Sequence, residues 1–170
     1  MRIATWNINS VRLRINHVLR FIKEYHIDVI CLQETKTEDQ FFPINEFVDI
    51  GLIHHSFRGE KSYNGVAILS KIPIKNESYK LWCGLDDARH NYVIFENDTK
   101  IHNFYVPAGG DIPDTKLNMK FNHKINFVKE MIKYFNQIKL KKTVLVGDLN
   151  IAPFEHDVWS HKQLLNVVSQ

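Results

Sequence analysis

The opening of the chain constrains its fold most strongly, because two strand patterns flank one helical pattern. Residues 2–7 read as a strand, and apolar residues then recur at helical spacing over residues 11–22. Asn9 and Ser10, just before the helical pattern, suit a helix N-cap. Residues 28–33 form a nearly continuous apolar run, which predicts a strand buried on both faces. A β-α-β opening of this kind predicts an α/β fold with a mixed sheet and helices on its outer faces.

The middle of the chain carries a series of short strand patterns. We expect a short helix and loop over residues 41–51, followed by strands that read as antiparallel. These strands are predicted near residues 54–58, 65–70, 74–81, 91–96 and 100–106. No repeat or linker-like segment interrupts the chain, so residues 1–170 are predicted to form a single domain.

A second amphipathic helix is predicted from about Thr115, and a strand at residues 144–147 follows it. Its apolar stripe, expected in the core, consists of Leu117, Phe121, Ile125, Val128, Met131, Ile132 and Phe135. Its solvated face is expected to carry Lys116, Lys120, Lys124, Lys129 and Lys133. A helical turn is predicted near residues 157–164.

Polar side chains stand where three of the predicted strands end. Asn7 ends the first strand, Glu34 follows the second, and Asp148 and Asn150 follow the strand at 144–147. Because strand side chains alternate, Asp148 and Asn150 are expected to share a face. Binding sites in sheet proteins gather at strand ends, and an oxygen-rich set suits a hard cation. Taken singly, Glu34 could equally be a surface acid, and residues 148–150 could be a capped turn.

The amino-acid composition restricts the possible binding partners of the chain only slightly. The chain has 170 residues, 44% of them hydrophobic, which is enough for one domain with a core. A formal net charge of +3 permits nucleic acid as a partner without requiring it. No uninterrupted apolar run approaches membrane-spanning length, so a cytoplasmic location without membrane partners is predicted.

Five segments, in order along the chain, resemble the exonuclease III family of abasic-site endonucleases, part of the endonuclease/exonuclease/phosphatase superfamily. They are residues 6–9, 32–36, 63–67, 104–107 and 147–153. The resemblance implies a two-sheet α/β sandwich of the endonuclease/exonuclease/phosphatase type. It also implies hydrolysis of DNA phosphodiesters assisted by a divalent metal, Mg²⁺ with Mn²⁺ as an alternative.

The resemblance also implies roles for individual residues. Glu34 corresponds to the metal ligand, with Asn7 beside it. Tyr105 is similar to the family tyrosine that contacts the scissile phosphate, and Asp148 to the acid that handles the attacking water or the leaving oxygen. Asn150 is similar to the amide that orients these groups.

Three further residues match DNA-binding positions of the same family. They are Lys36, Asn64 and Arg89. One departure is Ala108, where many members carry Asn, and the contacts of that amide are not expected here.

Family members continue beyond the matched region into a second half that ends with an Asp-His pair, and this sequence contains no Asp-His dipeptide. The resemblance therefore implies the N-terminal portion of a repair nuclease for abasic sites and 3′ ends in double-stranded DNA, inactive alone. No obligate protein partner is expected unless a separate C-terminal half exists. The alternatives are a catalytically dead fragment or DNA-binding remnant, and another phosphodiesterase, for general DNA, a phosphoinositide or a phospholipid headgroup.

Overall fold

The computed structural model describes residues 1–164, and these fall into two compact units. The first unit comprises Met1–Leu81, Asp86–Tyr105 and Lys141–Asp148. The second comprises Trp82–Leu85, Val106–Leu140 and the described residues from Leu149 onward. The single domain expected over residues 1–170 stays a prediction.

The first unit contains all eight strands of the described sheets and two helices. In chain order they are β1 (Ile3–Asn7), α1 (Val11–Glu24), β2 (Val29–Gln33), α2 (Ile44–Val48), β3 (His54–Glu60), β4 (Tyr63–Ser70), β5 (Ile74–Ser78), β6 (His90–Phe95), β7 (Lys100–Tyr105) and β8 (Thr143–Asp148). A 3₁₀ turn at Asp39–Phe41 precedes α2. The strand patterns therefore correspond to observed strands, with ends shifted by a few residues.

These strands form two four-stranded sheets, ordered β1-β2-β4-β3 and β5-β6-β7-β8. The β-α-β opening is confirmed, because β1 and β2 are parallel. The antiparallel series is divided, with β3 and β4 in the first sheet and β5 to β7 in the second, where β8 joins β7 in parallel. An apolar layer between the sheets is formed by Val29, Cys31, Ile68, Val93, Phe95 and Ile101. The predicted two-sheet α/β sandwich is thus confirmed.

Helix α1 covers the outer face of the first sheet, as its amphipathic pattern predicted. Its buried residues are Val11, Val18 and Ile22. Ser10 is the N-cap residue by position, but its side chain makes no capping hydrogen bond. Instead, the Ser10 N–H donates to the Glu34 carbonyl at 2.7 Å. The start of α1 is therefore held by the segment that follows β2, which is also the segment that carries Glu34.

In the second unit, the predicted helix is α3 (Met119–Gln137), followed by a 3₁₀ turn at Glu155–Asp157 and α4 (His161–Leu164). The predicted apolar stripe was partly wrong, because Leu117 precedes the helix and is 77% exposed, and Ile132 is also exposed. The side chain of Asn118 begins the helix by accepting hydrogen bonds from two backbone N–H groups. The buried residues of α3 are Phe127 and, against expectation, Lys124. Among residues 1–164, no helix is long and apolar enough to cross a membrane.

Strand β8 is an edge strand of its sheet in the described part of the chain, and its residues are partly buried or exposed. Leu145 on this strand is exposed. At Gly147, however, β8 lies very close to β7. A Cβ added at Gly147 would stand 2.0 Å from the Phe104 carbonyl oxygen, and the residue has φ of +143°.

Gly147→Ala is therefore expected to destabilise the first unit by about 4 kcal/mol, because β8 must move away from β7 or adopt a strained backbone. Urea unfolding measures the loss. Gly51→Ala is the matched control, since Gly51 also has a positive φ, +89°, but nothing lies within 4 Å of its added Cβ. The control should lose only about 1–2 kcal/mol. Equal losses in the two variants would contradict the close approach of β8 to β7.

Candidate active site

Four polar side chains meet where strands of both sheets end, inside the first unit. Asn7 ends β1, Glu34 follows β2, and Tyr105 and Asp148 end β7 and β8. Tyr105 and Asp148 are cross-strand neighbours in the parallel β7–β8 pair. The structure therefore brings together four of the residues that the sequence singled out.

The side-chain amide of Asn7 connects the two acids of this cluster. Its Nδ2 donates to Glu34 Oε1 at 2.9 Å and to Asp148 Oδ2 at 2.7 Å. Its Oδ1 accepts from the Asn9 backbone N–H at 3.2 Å. The amide thus presents hydrogens to both carboxylates, and it fixes the acid from the first sheet against the acid from the second.

Glu34 receives three hydrogen bonds. Besides Asn7, the Tyr105 hydroxyl donates to Oε1 and the Lys36 ammonium donates to Oε2, each at 2.8 Å. Partial burial tends to raise the pKa of Glu34, but the hydrogen bonds from Asn7, Lys36 and Tyr105 outweigh it and lower the pKa below its ordinary value. Glu34 is therefore a carboxylate at neutral pH.

Tyr105 is a proton donor in this arrangement. Burial raises the pKa of its hydroxyl first, and the hydrogen bond to Glu34 and the Glu34 charge raise it further. The hydroxyl consequently keeps its proton at neutral pH. The Tyr105 ring also faces the Arg89 guanidinium, whose carbon lies 4.8 Å from the ring centroid.

Arg89 and Asn64 lie next to this cluster, and both are buried. Arg89 Nε donates to Asp87 Oδ2 at 2.7 Å, and a terminal nitrogen donates to the Tyr105 carbonyl at 3.3 Å. Asn64 Nδ2 donates to Glu60 Oε1 and to the Asp87 carbonyl. Its Oδ1 is buried without a hydrogen-bond partner among residues 1–164. Both side chains therefore help to shape the segment that leads into β6, and their DNA contacts stay predictions.

Lys36 carries the more accessible positive charge. Its side chain is partly exposed, and its ammonium also donates to Asn9 Oδ1 at 2.6 Å. The ammonium thus connects the segment after β1 with the segment after β2. Its charge partly compensates that of the Glu34 carboxylate.

Asn150 belongs to the second unit, and the expectation that it shares a strand face with Asp148 was wrong. Strand β8 ends at Asp148, and Asn150 has φ of +50°, so strand alternation does not extend to it. Its Nδ2 donates to the Val106 carbonyl at 2.9 Å. The catalytic role of Asn150 stays a prediction.

Lys124 was expected on a solvated face, but it is only 4% exposed. Its ammonium donates to the carbonyl oxygens of Asn150 at 2.5 Å and Ala108 at 3.3 Å. The sequence held a signal for this position, since Lys124 lies at i+3 from Phe121 and at i−4 from Val128. The apolar spacing around Lys124 therefore indicates the buried side of the helix, whereas the regular spacing of the lysines indicates the solvated side.

The match to known proteins extends over most of the chain. The sequence model described as the endonuclease/exonuclease/phosphatase family matches residues 4–167. This chain belongs to the endonuclease/exonuclease/phosphatase family. It is 29% identical to exodeoxyribonuclease III of Haemophilus influenzae in an alignment 167 positions long that covers 93% of this chain and 60% of that protein. The predicted resemblance to exonuclease III is confirmed.

Solved structures of family members agree with the fold. An AP endonuclease from Archaeoglobus fulgidus matches with a TM-score of 0.90 and 34% identity, covering 99% of this chain and 65% of that one. A 3′ phosphatase from Neisseria, bound to a product DNA hairpin, matches with a TM-score of 0.82 and 26% identity, covering 96% and 63%. The chain thus spans about 60–65% of the length of these family members.

Proposed function

We propose that this chain contributes the cluster formed by Asn7, Glu34, Tyr105 and Asp148 to metal-dependent hydrolysis of DNA phosphodiesters. The protein would be an exodeoxyribonuclease III-like repair nuclease, acting at abasic sites and at 3′ ends of double-stranded DNA. The observation that carries the proposal is the Asn7 amide, which holds the carboxylates of Glu34 and Asp148 in contact with one nitrogen atom. The names of the relatives, an exodeoxyribonuclease and an AP endonuclease, support the choice of substrate.

The side chains present fit a Mg²⁺ ion. Mg²⁺ is usually held by one or two carboxylates together with water and substrate oxygens. Glu34 and Asp148 supply carboxylates, and the Glu34 side chain is 17% exposed, so solvent oxygens can reach it. No group of three or more His, Cys, Asp or Glu residues that could hold a metal is found among residues 1–164. A Mg²⁺ site that takes most of its ligands from water and substrate does not need such a group of residues. Mn²⁺ would suit the same oxygen ligands.

The ion, when bound, would neutralise negative charge that develops on the phosphate and the leaving oxygen. Glu34 would hold the ion, with Asn7 beside it. Tyr105, which keeps its proton at neutral pH, would turn the hydrogen bond that it donates to Glu34 in this structure toward a phosphate oxygen. Asp148, oriented by Asn7, positions or deprotonates the attacking water.

Further residues are proposed to bind or orient DNA. Lys36 would contact the DNA backbone through its partly exposed ammonium group. Asn64 and Arg89 would bind from the segment that leads into β6, and Asn150 would orient the reacting groups. The two compact units would act as one domain, since the family match covers residues of both. A cytoplasmic location remains part of the proposal.

The proposal is tested with the 170-residue chain in excess over a labelled duplex that contains one abasic site. We expect the chain alone to nick the duplex only slightly above background, in a reaction that requires Mg²⁺ or Mn²⁺ and stops with a chelator. The rate should be low because the Asp-His pair implied by the resemblance does not occur in this sequence, and loss of a general acid or base costs about 10²–10⁴ in rate.

A substrate panel separates the alternatives. Intact duplex, 3′-recessed duplex, a phosphoinositide and a phospholipid headgroup are incubated under the same conditions. Cleavage of a lipid substrate in preference to DNA would favour another phosphodiesterase. Steeply salt-dependent DNA binding without metal-dependent cleavage would indicate a non-catalytic DNA-binding remnant.

A further inference from the structure

Two fully buried amides lie between the sheets, directly beneath the cluster of the candidate active site. Gln33, on β2, is 1% exposed, and Asn103, on β7, is 0% exposed. Gln33 Nε2 donates to Asn103 Oδ1 at 2.6 Å and to Thr5 Oγ1 on β1 at 3.0 Å. A direct hydrogen bond between amides thus connects the first sheet to the second.

Asn103 extends this connection to the backbone of the opposite sheet. Its Nδ2 donates to the carbonyl of Leu32 on β2 at 3.0 Å and to the carbonyl of Ala67 on β4 at 3.1 Å. The pair therefore makes three hydrogen bonds between the sheets. Apolar side chains allow two packed sheets to take several positions relative to each other. Buried hydrogen bonds between the sheets are satisfied in only one of these positions.

The two amides are next to the residues that react. Gln33 immediately precedes Glu34, and Asn103 lies two residues before Tyr105 on the same face of β7. Glu34 itself has φ of +53°, a left-handed conformation that a residue with a side chain keeps only where its surroundings fix it. The contact across the sheets, from the Tyr105 hydroxyl to Glu34 Oε1, measures 2.8 Å.

We propose that the Gln33–Asn103 amide pair fixes the position of β2 relative to β7. The pair thereby positions the side chains of Glu34 and Tyr105 for the reaction. Neither amide contacts the reacting atoms, and both act through the residues that follow them. The cleavage part of this inference rests on the proposed nuclease function. The geometric part does not depend on it.

The test uses Gln33→Met, Asn103→Leu and the double variant in the 170-residue chain. In Gln33→Met, Asn103 keeps its two backbone acceptors, but its buried Oδ1 loses the donor that Gln33 supplies. Replacing both partners by apolar side chains leaves neither amide with an unpaired group, so the double variant is expected to fold. Thermal melts set a temperature at which every variant is folded.

Asn91→Leu is the matched control. Asn91, on β6, is also fully buried, and its Nδ2 donates across the sheets to the Ser56 carbonyl on β3 at 2.8 Å. Neither β3 nor β6 carries Asn7, Glu34, Tyr105 or Asp148. The control therefore removes a buried amide of the same kind from strands outside the cluster.

Under single-turnover conditions, the rate constant should fall about 10²-fold in each Gln33 and Asn103 variant, as a misplacement of about 1 Å can cause. The enzyme concentration that gives half the maximal rate should change less than about threefold, because DNA-binding groups are untouched. The double variant should be no slower than the singles, since the amides act as a unit. Asn91→Leu should keep the wild-type rate within about threefold.

Crystal structures of the variants measure the geometry without any activity. The Glu34 Oε1 to Tyr105 hydroxyl contact should lengthen or be lost in the Gln33 and Asn103 variants and stay intact in Asn91→Leu. An unchanged contact in the double variant would overturn the inference, as would equal rate losses in Asn91→Leu and Gln33→Met. If the wild-type chain shows no cleavage above its Glu34→Gln variant, the proposed function fails, and the crystallographic distances alone decide the positioning role.

Discussion

Glu34→Gln and Asp148→Asn are each expected to lower the single-turnover rate of abasic-site cleavage to the background set by buffer alone. The Glu34 carboxylate is the proposed metal ligand and accepts hydrogen bonds from Asn7, Lys36 and Tyr105. A glutamine offers one neutral oxygen and two donors, which cannot satisfy three donors and a cation. In Asp148→Asn the group that orients or deprotonates water is lost, which costs about 10²–10⁴ in rate.

The matched control for both variants is Glu96→Gln. Glu96 is an exposed acid in the turn between β6 and β7, at the opposite end of β7 from Tyr105. It should keep the wild-type rate. Cleavage by Glu34→Gln or Asp148→Asn at the wild-type rate, in protein that melts as a folded chain, would rule out this cluster as the catalytic centre.

Acid is expected to destabilise the first unit by roughly 2–4 kcal/mol between pH 8 and pH 5, because two histidines are buried as neutral rings. His90 Nε2 and His102 Nδ1 are 3.0 Å apart, and His90 Nδ1 accepts from the Lys80 backbone N–H. His90 therefore carries its proton on Nε2, and this N–H donates a hydrogen bond to His102 Nδ1. Burial, followed by the charge of the neighbouring ring, lowers the pKa of His90 to about 2. Burial, followed by the charge of Lys100, lowers the pKa of His102 to about 4.

The sign follows from the protons bound in each state. Below the ordinary histidine pKa of 6.5, the unfolded chain takes up protons that the folded chain does not. The stability contributed by the neutral rings is therefore fully present above pH 6.5 and decreases as the pH falls toward the lowered values. Urea unfolding at pH 8.0, 6.5 and 5.0 measures the slope.

Two variants isolate the contribution of the histidine pair. Replacing both His90 and His102 by Gln should flatten the pH dependence, whatever it does to stability at pH 8. His55→Gln should leave the slope unchanged, because the His55 side chain is exposed in the folded chain. A double variant that kept the full slope would assign the acid sensitivity to other groups.

The sequence failed at two places where neighbouring segments decide the outcome. Lysine patterning placed Lys124 in solvent, whereas carbonyls from two loops surround its ammonium. Strand alternation placed Asn150 on the face of Asp148, whereas the strand ends at Asp148 and the backbone turns to positive φ. Both predictions extended a local sequence pattern into a segment whose conformation is set by contacts with residues distant in the sequence.

The sequence by itself determined the strand and helix pattern, the parallel β-α-β opening and the identity of the polar residues at the strand ends, because hydrophobic periodicity and residue chemistry are local properties. Only the tertiary structure decided that β3 and β4 belong to one sheet and β5 to β7 to the other. It also decided that the Asn7 amide donates to both Glu34 and Asp148, although Asp148 lies 141 residues from Asn7 in the sequence. Such contacts depend on how two sheets pack face to face, and no local pattern along a chain encodes that distance.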